Sequence, residues 1–278
     1  MAIITGGGRG IGLAIAKAYA QQGCNLALCA RTGEELDSAA QFIQDNYGTK
    51  VKTCCANVSD EQAVNRMIDS VIESFGRIDI LVNNAGIVGP LGPLEQIESS
   101  AWWNAIHINL GGAFYCIKAV LPHMNAKKYG RILNMSGGGV FVPAPYMDAY
   151  AVTKIAIARL TENLALELKD TGVVVTALSP GGVNTKMFDE MLAAGKESVS
   201  IEIWEGFLKR KEAGGDPINA PANLAVFLAT EEASSVNGRL IAAKWDHWDS
   251  FKEHKKEIES TDIYTLRRIL PKDRGYNW

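Results

Sequence analysis

The segment AIITGGGRGIG at residues 2–12 decides how the rest of the chain is interpreted. Its first four residues form an apolar run typical of a buried β-strand, and residues 13–22 have the pattern of an α-helix. Glycines between a strand and a helix let the backbone approach a pyrophosphate, which the N–H groups and the dipole at the helix N-terminus can then bind. A glycine-rich loop alone is weak evidence, but in this context it indicates a dinucleotide-binding unit.

Short apolar runs alternate with helical segments as far as residue 243. The predicted strands lie at residues 2–5, 25–30, 51–56, 78–83, 131–135, 173–179 and 239–243. Short linkers and largely apolar strands are typical of a parallel sheet with helices on both faces. Since no composition break or internal repeat interrupts this alternation, we predict one α/β domain over residues 1–244.

Tyr150 and Lys154 lie at the start of a helical segment, YAVTK, and share one of its faces because they are four residues apart. A phenol titrates near pH ~10, and a neighbouring cation lowers that pKa. The pair therefore has the chemistry of a general acid/base for a carbonyl/alcohol couple. Tyr and Lys at this spacing are also common on ordinary surface helices, so the pair needs support from elsewhere in the chain.

Polar residues at three further places provide such support. The segment NNAG at residues 83–86 follows the fourth predicted strand, although alone it is typical of a turn. Asn109 interrupts an apolar helical region where Asn is unfavourable, so it is either exposed to solvent or part of a polar site. Ser136 follows the fifth predicted strand, and the carboxyl ends of parallel strands border the crevice in which ligands bind.

These motifs occur in the order and approximate spacing of one family. TGxxxGxG at residues 5–12, NNAG at 83–86, Asn109, Ser136, YxxxK at 150–154 and PG at 180–181 together resemble the short-chain dehydrogenase/reductase family. The resemblance covers residues 2–243 and implies a single Rossmann-type, doubly wound domain with a seven-stranded parallel sheet and helices on both faces. It also implies an NAD(P)-dependent enzyme that interconverts a carbonyl compound and an alcohol.

The resemblance implies a role for individual residues as well. Tyr150 would be the catalytic acid/base, and Lys154 would lower its pKa and hold the nicotinamide ribose. Ser136 would hydrogen-bond the substrate oxygen, and Asn109 would hold a water of the proton relay. The implied cofactor-binding residues are Gly6, Gly8, Arg9, Gly10, Ile11, Gly12, Arg31, Thr32, Asn57, Val58, Asn84, Ala85, Gly86, Tyr150, Lys154, Pro180, Gly181, Val183 and Thr185.

The end of the second predicted strand favours NADP(H) over NAD(H) as the cofactor. Many NAD-binding chains place an acid there for the ribose hydroxyls, whereas this chain has Ala30, Arg31 and Thr32. A guanidinium and a hydroxyl suit the oxygens of the additional phosphate of NADP. Arg9 in the glycine loop is expected to approach that phosphate from the opposite side. The alternative is that both arginines are solvated loop residues.

The chain departs from the family pattern at three places. It begins almost at the first strand, and Asn57 replaces a common Asp beside the adenine, which Asn can still hydrogen-bond. A tail at residues 245–278 follows the last strand, and its tryptophans and aliphatic residues carry too much apolar surface for a solvated tail. We expect this tail to pack on the body.

Residues 183–215 are expected to form a mobile, partly helical substrate lid, the alternative being a plain connector.

Composition argues against several classes of partner. With 47% hydrophobic residues, 21% charged residues and a net charge of -3, nothing indicates nucleic acid or an anionic membrane. No uninterrupted apolar run reaches the ~18–20 residues that span a bilayer, and no signal peptide is expected because residues 1–4 lead directly into the glycine loop. Five cysteines without CxxC spacing and four scattered histidines predict buried reduced thiols, a cytoplasmic protein and no metal site.

The predicted function is NADP(H)-dependent interconversion of a small-molecule ketone or aldehyde and the corresponding alcohol. Long apolar helices at residues 101–124 and 148–170, together with the resemblance, predict a homotetramer or homodimer. One alternative is a dinucleotide-binding regulatory protein without turnover, against which the complete catalytic set argues. Another is an enzyme that uses the cofactor for epimerisation or dehydration, although such relatives usually have a longer substrate domain.

Overall fold

Seven parallel strands form one sheet in the computed structural model, which describes all 278 residues. The strands are β1 (Ala2–Thr5), β2 (Leu26–Ala30), β3 (Val51–Cys55), β4 (Ile80–Asn83), β5 (Gly130–Met135), β6 (Val173–Ser179) and β7 (Leu240–Ala242). The α-helices are α1 (Gly10–Gln21), α2 (Gly33–Tyr47), α3 (Glu61–Phe75), α4 (Ser99–Ile106), α5 (Gly112–Lys127), α6 (Asp148–Glu167), α7 (Lys186–Ala193), α8 (Ile201–Glu212), α9 (Asn219–Leu228) and α10 (Lys255–Ser260).

The strand order is β3-β2-β1-β4-β5-β6-β7, so the chain winds outward from β1 in one direction and then crosses back to β4. Pairing on the two sides of β1 matches Ile4 with Leu28 of β2 and with Val82 of β4. This order confirms the predicted doubly wound α/β fold. It also opens a crevice at the carboxyl ends of β1 and β4, where the winding direction changes.

Two hydrophobic clusters cover the two faces of the sheet. Ile3 and Ile4 are both completely buried, yet they belong to different clusters because successive strand residues point to opposite faces. The cluster around Ile4 includes residues of α1, α2 and α9, and the cluster around Ile3 includes residues of α3 and α5. Because both faces of the sheet are buried, side chains on both sides of each strand are apolar, and the strands appear in the sequence as continuous apolar runs.

The helical path from Ser99 to Lys127 differs from the single regular helix predicted at residues 101–124. It consists of α4, a π-helical segment at His107–Gly111, and α5. By length and composition this path is long and apolar enough to cross a membrane, although no uninterrupted apolar run of that length occurs in the sequence. The buried side chains of α5 pack against the sheet in the cluster around Ile3, which is the position of a core helix.

The structure identifies the cap of α3 and corrects one local prediction. The Asp60 carboxylate caps α3, since it accepts hydrogen bonds from the N–H groups of Gln62 and Ala63. Cys55 is exposed, whereas the sequence predicted buried thiols, because it is the last residue of β3, which lies at the edge of the sheet. All five cysteines are free thiols.

The segment after β6 and the C-terminal tail lie outside the regular alternation. Residues 183–215 contain α7, a 3-10 turn at Lys196–Ser198, and α8. In the tail, Phe251 and Ile258 are almost completely buried and belong to the same cluster as Leu228 of α9. The tail backbone also runs along the outer side of β7, where the Leu240 N–H donates a hydrogen bond of 2.9 Å to the Tyr264 carbonyl.

Candidate active site

The end of β5 and the start of α6 bring three predicted catalytic residues together. Lys154 Nζ donates a hydrogen bond of 2.9 Å to the carbonyl of Met135, the residue before Ser136. A Cβ atom added to Gly137, the residue after Ser136, would collide with the Tyr150 hydroxyl. Ser136 Oγ is buried and has no hydrogen-bond partner in the chain. A phenol, a hydroxyl and an ammonium therefore converge on three consecutive backbone positions.

Asn109 forms a buried connection between three elements. Its Oδ1 accepts a hydrogen bond of 2.8 Å from the Ile87 N–H, and its Nδ2 donates one of 2.9 Å to the Ile87 carbonyl. The same Nδ2 donates to Thr153 Oγ1 at 3.2 Å, and that hydroxyl donates to the Tyr150 carbonyl at 2.7 Å. Asn109 is thus part of a polar site, which decides between the two alternatives that the sequence left open. It lies in the π-helical segment, a departure from α-geometry that occurs often at functional sites.

Burial dominates the titration behaviour of the two central side chains. Desolvation raises the pKa of the Tyr150 phenol to about 12, and the positive charge of Arg210 opposes that rise. Desolvation also lowers the pKa of the Lys154 ammonium to about 8. Burial dominates the pKa of Tyr150 in the chain by itself, so the lowering of that pKa by Lys154 stays a prediction. Its Nζ lies 5.4 Å from the centre of the phenol ring and is directed at the Met135 carbonyl.

A cleft of about 300 Å³ runs from the glycine loop across the carboxyl ends of the strands. It brings together most of the predicted cofactor-binding residues, namely Gly6, Gly8, Arg9, Gly10, Ile11, Arg31, Thr32, Asn57, Val58, Asn84, Ala85, Gly86 and Thr185. The predicted residues that do not line it are Gly12, Tyr150, Lys154, Pro180, Gly181 and Val183. Thr185 closes one side of the cleft, because its Cγ2 is 3.7 Å from the position of a Cβ atom on Gly10.

The glycine loop is shaped by contacts with the loop after β4. Asn84 Nδ2 donates to the carbonyls of Thr5 and Gly6, and Thr5 Oγ1 accepts from the N–H groups of Asn84 and Ala85. Gly6 has a φ of 65°, and a side chain there would meet Asn84 at 2.7 Å. A Cβ atom on Gly12 would collide with the Gly6 carbonyl. Gly12 therefore permits the close packing of the loop and does not itself line the cleft.

The N-terminus of α1 has the features of a phosphate-binding site. No side chain caps this helix, and no acidic residue lies in its first turn. The N–H groups of the first turn lack partners within the helix, and the helix dipole makes this end positive. Because these groups border the cleft, the residues present fit the pyrophosphate of a dinucleotide.

Arg9 and Glu35 form an ion pair that the sequence did not predict. Arg9 Nη1 lies 2.8 Å from Glu35 Oε1, and both residues line the cleft next to Arg31. The Arg9 guanidinium is therefore held by an acid of α2, whereas it was expected to be available for a phosphate. Arg31 and Thr32 are exposed at the end of β2. No sequence pattern relates Arg9 to Glu35, because Arg9 lies in the glycine loop and Glu35 lies on α2.

The loop after β6 is held by Arg210, near the far end of the 183–215 segment, and by Asp216, just beyond it. Arg210 Nη2 donates a hydrogen bond of 2.7 Å to the Val183 carbonyl. Asp216 Oδ2 accepts one of 2.6 Å from the Gly182 N–H, and its Oδ1 pairs with Lys244 Nζ at 2.7 Å. Sequence reasoning missed both residues, since charged residues in a segment rich in charge carry no local signal.

Comparison with known proteins agrees with this geometry. A family model described as short chain dehydrogenase matches residues 1–195. A short chain dehydrogenase of Pseudocercospora fijiensis is 34% identical over 263 residues, which cover 92% of this chain and 84% of the relative. The chain belongs to the short-chain dehydrogenase/reductase family.

Solved structures of other short-chain dehydrogenase/reductases have the same fold. A xylitol dehydrogenase bound to NAD+ superposes with a TM-score of 0.81 at 30% identity, covering 87% of this chain and 96% of that one. The L-sorbose reductase of Gluconobacter frateurii, in complex with NADPH and L-sorbose, superposes with a TM-score of 0.77 at 28% identity, covering 87% and 93%. The fold thus accommodates either nicotinamide dinucleotide, and this chain is an oxidoreductase of the same family.

Proposed function

We propose that the protein is an NADP(H)-dependent oxidoreductase that interconverts a ketone or aldehyde with the corresponding alcohol. The observation that carries this proposal is the convergence of Ser136, Tyr150 and Lys154 at the end of β5, where Ser136 Oγ is buried without a partner. An unpaired buried hydroxyl is costly unless a ligand completes its hydrogen bonding. A substrate oxygen placed between Ser136 and Tyr150 would do so.

Each residue of the site has a distinct task in this proposal. The Ser136 hydroxyl donates a hydrogen bond to the substrate oxygen and orients it. Tyr150 gives a proton to that oxygen in the reductive direction and removes it in the oxidative direction. Lys154 adds positive charge beside the phenol, and Asn109 fixes the backbone at Ile87 against α6. A bound nicotinamide dinucleotide would supply or accept the hydride.

The preference for NADP(H) is supported by the charges around the end of β2. No acid stands at Ala30 to repel the additional phosphate, and Arg31 and Thr32 are exposed at the edge of the cleft. Glu35 is an acid in the same cleft, but its charge is balanced by Arg9 at 2.8 Å. Arg31 is consequently the residue on which the proposed preference rests, with Arg9 contributing by neutralising Glu35.

The cofactor preference is tested by kcat/KM with NADPH and with NADH. We expect the wild type to favour NADPH by tenfold or more, since one charge-assisted hydrogen bond contributes roughly 1.5–3 kcal/mol. Ala30→Asp combined with Arg31→Ala should move the ratio toward NADH, whereas Glu35→Gln should move it further toward NADPH because it frees Arg9. Equal or better use of NADH by the wild type would refute the preference, and so would a double variant whose ratio does not change.

The activity is tested with a panel of ketones and alcohols that includes sugars and polyols, monitored by the absorbance of the reduced dinucleotide. Sugars are included because Met187 and Trp204 of residues 183–215 suit either an apolar group or a sugar face. We expect turnover of at least one carbonyl/alcohol pair in both directions. A protein that binds the dinucleotide but turns over no member of the panel would instead support the regulatory alternative.

We further propose that the protein is a cytoplasmic homodimer or homotetramer. The outer faces of α5 and α6 support the assembly, because Phe114, Val152, Ile155 and Leu166 are large apolar side chains exposed there. Apolar surface of this kind is buried when subunits associate. Sedimentation at micromolar concentration should give a species larger than the 30.1 kDa chain, and a monomer alone would refute the proposal.

A further inference from the structure

We propose that Arg210 binds a carboxylate of the substrate, so that the natural substrate is a keto acid or hydroxy acid. This inference rests on the proposed function and names the chemical class that the site would accept. Arg210 lies on α8, and its hydrogen bond to the Val183 carbonyl places it at the loop after β6, the strand that pairs with β5 as far as Met135. Its positive charge also acts on the Tyr150 phenol. A group that binds Arg210 would therefore lie close to the proposed reaction centre.

Two contacts hold the Arg210 guanidinium in a fixed place. Its Nη2 donates to the Val183 carbonyl at 2.7 Å, and its Cζ lies 3.9 Å from the centre of the Phe188 ring. Its Nε lies beside Gly182, so close that a side chain at that position would meet it. Phe188 is itself buried and packs edge-to-face against Phe207 at 5.9 Å. The guanidinium is thus preorganised, which lowers the entropic cost of binding a ligand to it.

Arg210 has hydrogen-bonding capacity that the chain does not use. Nε is buried and has no partner, and the bond from Nη2 to Val183 is the only hydrogen bond of this side chain. A guanidinium has five N–H donors, and those at its end can bind the two oxygens of a carboxylate side by side. Half-buried arginines are normally paired with an acid, because an unpaired charge is costly to remove from water.

The nearest acid does not serve as a dedicated partner for Arg210. Asp216 is bound to Lys244 at 2.7 Å and to the Gly182 N–H at 2.6 Å. No salt bridge within 4.0 Å joins Asp216 to Arg210, although the negative charge of Asp216 acts on the guanidinium. Asp216 and Lys244 balance each other, and no acid forms a salt bridge with Arg210, so the charge of Arg210 is not paired within the chain. An anionic group on the substrate would restore the balance.

The binding test compares keto acids with their isosteric neutral amides on protein saturated with oxidised dinucleotide. The probes are pyruvate and pyruvamide, acetoacetate and acetoacetamide, and levulinate and levulinamide, which vary the distance between carbonyl and carboxylate. Isothermal titration calorimetry should show at least one acid that binds tenfold or more tightly than its amide. In Arg210→Met that ratio should fall toward one, and in Arg210→Lys it should be partly retained.

Lys209→Met is the matched control, since Lys209 is exposed on the same helix turn and its replacement removes the same charge. The control should keep the acid-to-amide ratio of the wild type. A ratio near one for every pair in the wild type would overturn the proposal, as would a ratio that survives in Arg210→Met and shows Arg210 to be only a clamp for the Val183 loop. Because binding is measured without turnover, these outcomes are distinct from failure of the proposed activity, which the ketone and alcohol panel detects.

Discussion

Burial and positive charge act in opposite directions on the phenol of Tyr150. Removal from water raises its pKa to about 12, and Arg210 opposes the rise. The same burial lowers the pKa of Lys154 to about 8, so this side chain is still largely protonated at neutral pH. The site therefore keeps a neutral phenol next to an ammonium, which is the protonation state needed to donate a proton to a carbonyl oxygen.

Lys154 should make the stability of the protein depend on pH. Between about pH 8 and its ordinary pKa, the unfolded chain holds the lysine proton and the folded chain releases it, so stability rises with pH. Relative to Lys154→Met, the wild type should gain up to about 1.4 kcal/mol of unfolding free energy per pH unit in that window, or about 2 kcal/mol between pH 7 and 9.5. Urea unfolding of both proteins at pH 7, 8 and 9.5 measures this difference.

The chosen pH range excludes the opposing effect of Tyr150. Its raised pKa destabilises the folded state only above the ordinary pKa of a phenol, near pH ~10. Below about pH 7 the difference between wild type and Lys154→Met should be constant, because both states then keep the lysine proton. Parallel stability curves across all three pH values would show that Lys154 is not desolvated in the folded protein.

The π-helical segment between α4 and α5 is the element that connects the sheet crevice to the catalytic helix. It places Asn109 so that one side chain bonds both the N–H and the carbonyl of Ile87 as well as Thr153 of α6. In a regular α-helix this side chain would point away from Ile87, because each residue added to a helical turn or removed from it changes the side-chain direction by about 100°. The π-helical segment thus fixes the position of the loop after β4, which a regular α-helix would not do.

Asn109→Ala should destabilise the protein and reduce turnover. The substitution leaves the Ile87 N–H and carbonyl without their partner in a largely buried place, a loss of about 1–3 kcal/mol for each unsatisfied group. Urea unfolding and kcat measure the two effects. Asn104→Ala is the control, because Asn104 is exposed on α4 and makes no side-chain hydrogen bond within the chain. Equal stability of the two variants would contradict the connecting role of Asn109.

The strands and most helices could be predicted from the sequence because each is specified by its own residues. β1 and β6 match their predicted bounds, since buried parallel strands are continuous apolar runs that end at glycine, proline or polar residues. The π-helical segment could not be predicted, because an additional residue in a helical turn leaves the apolar pattern almost unchanged. Asp60 and Ser59 are equally good caps in sequence, and only the backbone direction selects Asp60.

The candidate site was predictable in its motifs but not in its charges. Ser136, Tyr150 and Lys154 occur at a characteristic spacing, whereas Glu35 and Arg210 enter the site only through the packing of α2 and α8. Contacts such as Arg9 with Glu35 join residues on different elements, so no local pattern records them. These charges are the ones that decide between cofactors and between substrates.

For the molecule as a whole, the C-terminal tail closes the edge of the sheet at β7. Arg239 Nη2 donates to the carbonyls of Ile258 and Thr261 at 2.6 and 2.8 Å, and the Leu240 N–H donates to Tyr264. An open edge strand is prone to pairing with other chains, and a covered edge is not. The tail thus occupies a surface that would otherwise be available to a neighbouring subunit, which directs the proposed assembly toward α5 and α6.

Truncation after Lys244 should destabilise the protein by at least about 3 kcal/mol, because it removes the buried Phe251 and Ile258 side chains from the core. It should also lower solubility, since β7 becomes an open edge. Thermal and urea unfolding measure the stability, and deletion of residues 271–278, nearly all of which are exposed, serves as the control. A truncated protein as stable as this control would show that the tail contributes nothing to the fold.

The central claim, that Tyr150 moves the proton at a site built by Ser136 and Lys154, is tested most directly by the turnover of Tyr150→Phe. Tyr129→Phe is the matched control, because Tyr129 lies just before β5, at the opposite end of the strand from Ser136. We predict that Tyr150→Phe keeps its fold and its dinucleotide affinity but loses nearly all turnover, while Tyr129→Phe stays active. Retention of more than about a tenth of wild-type kcat/KM, a loss below ~1.4 kcal/mol of transition-state stabilisation, would contradict the claim.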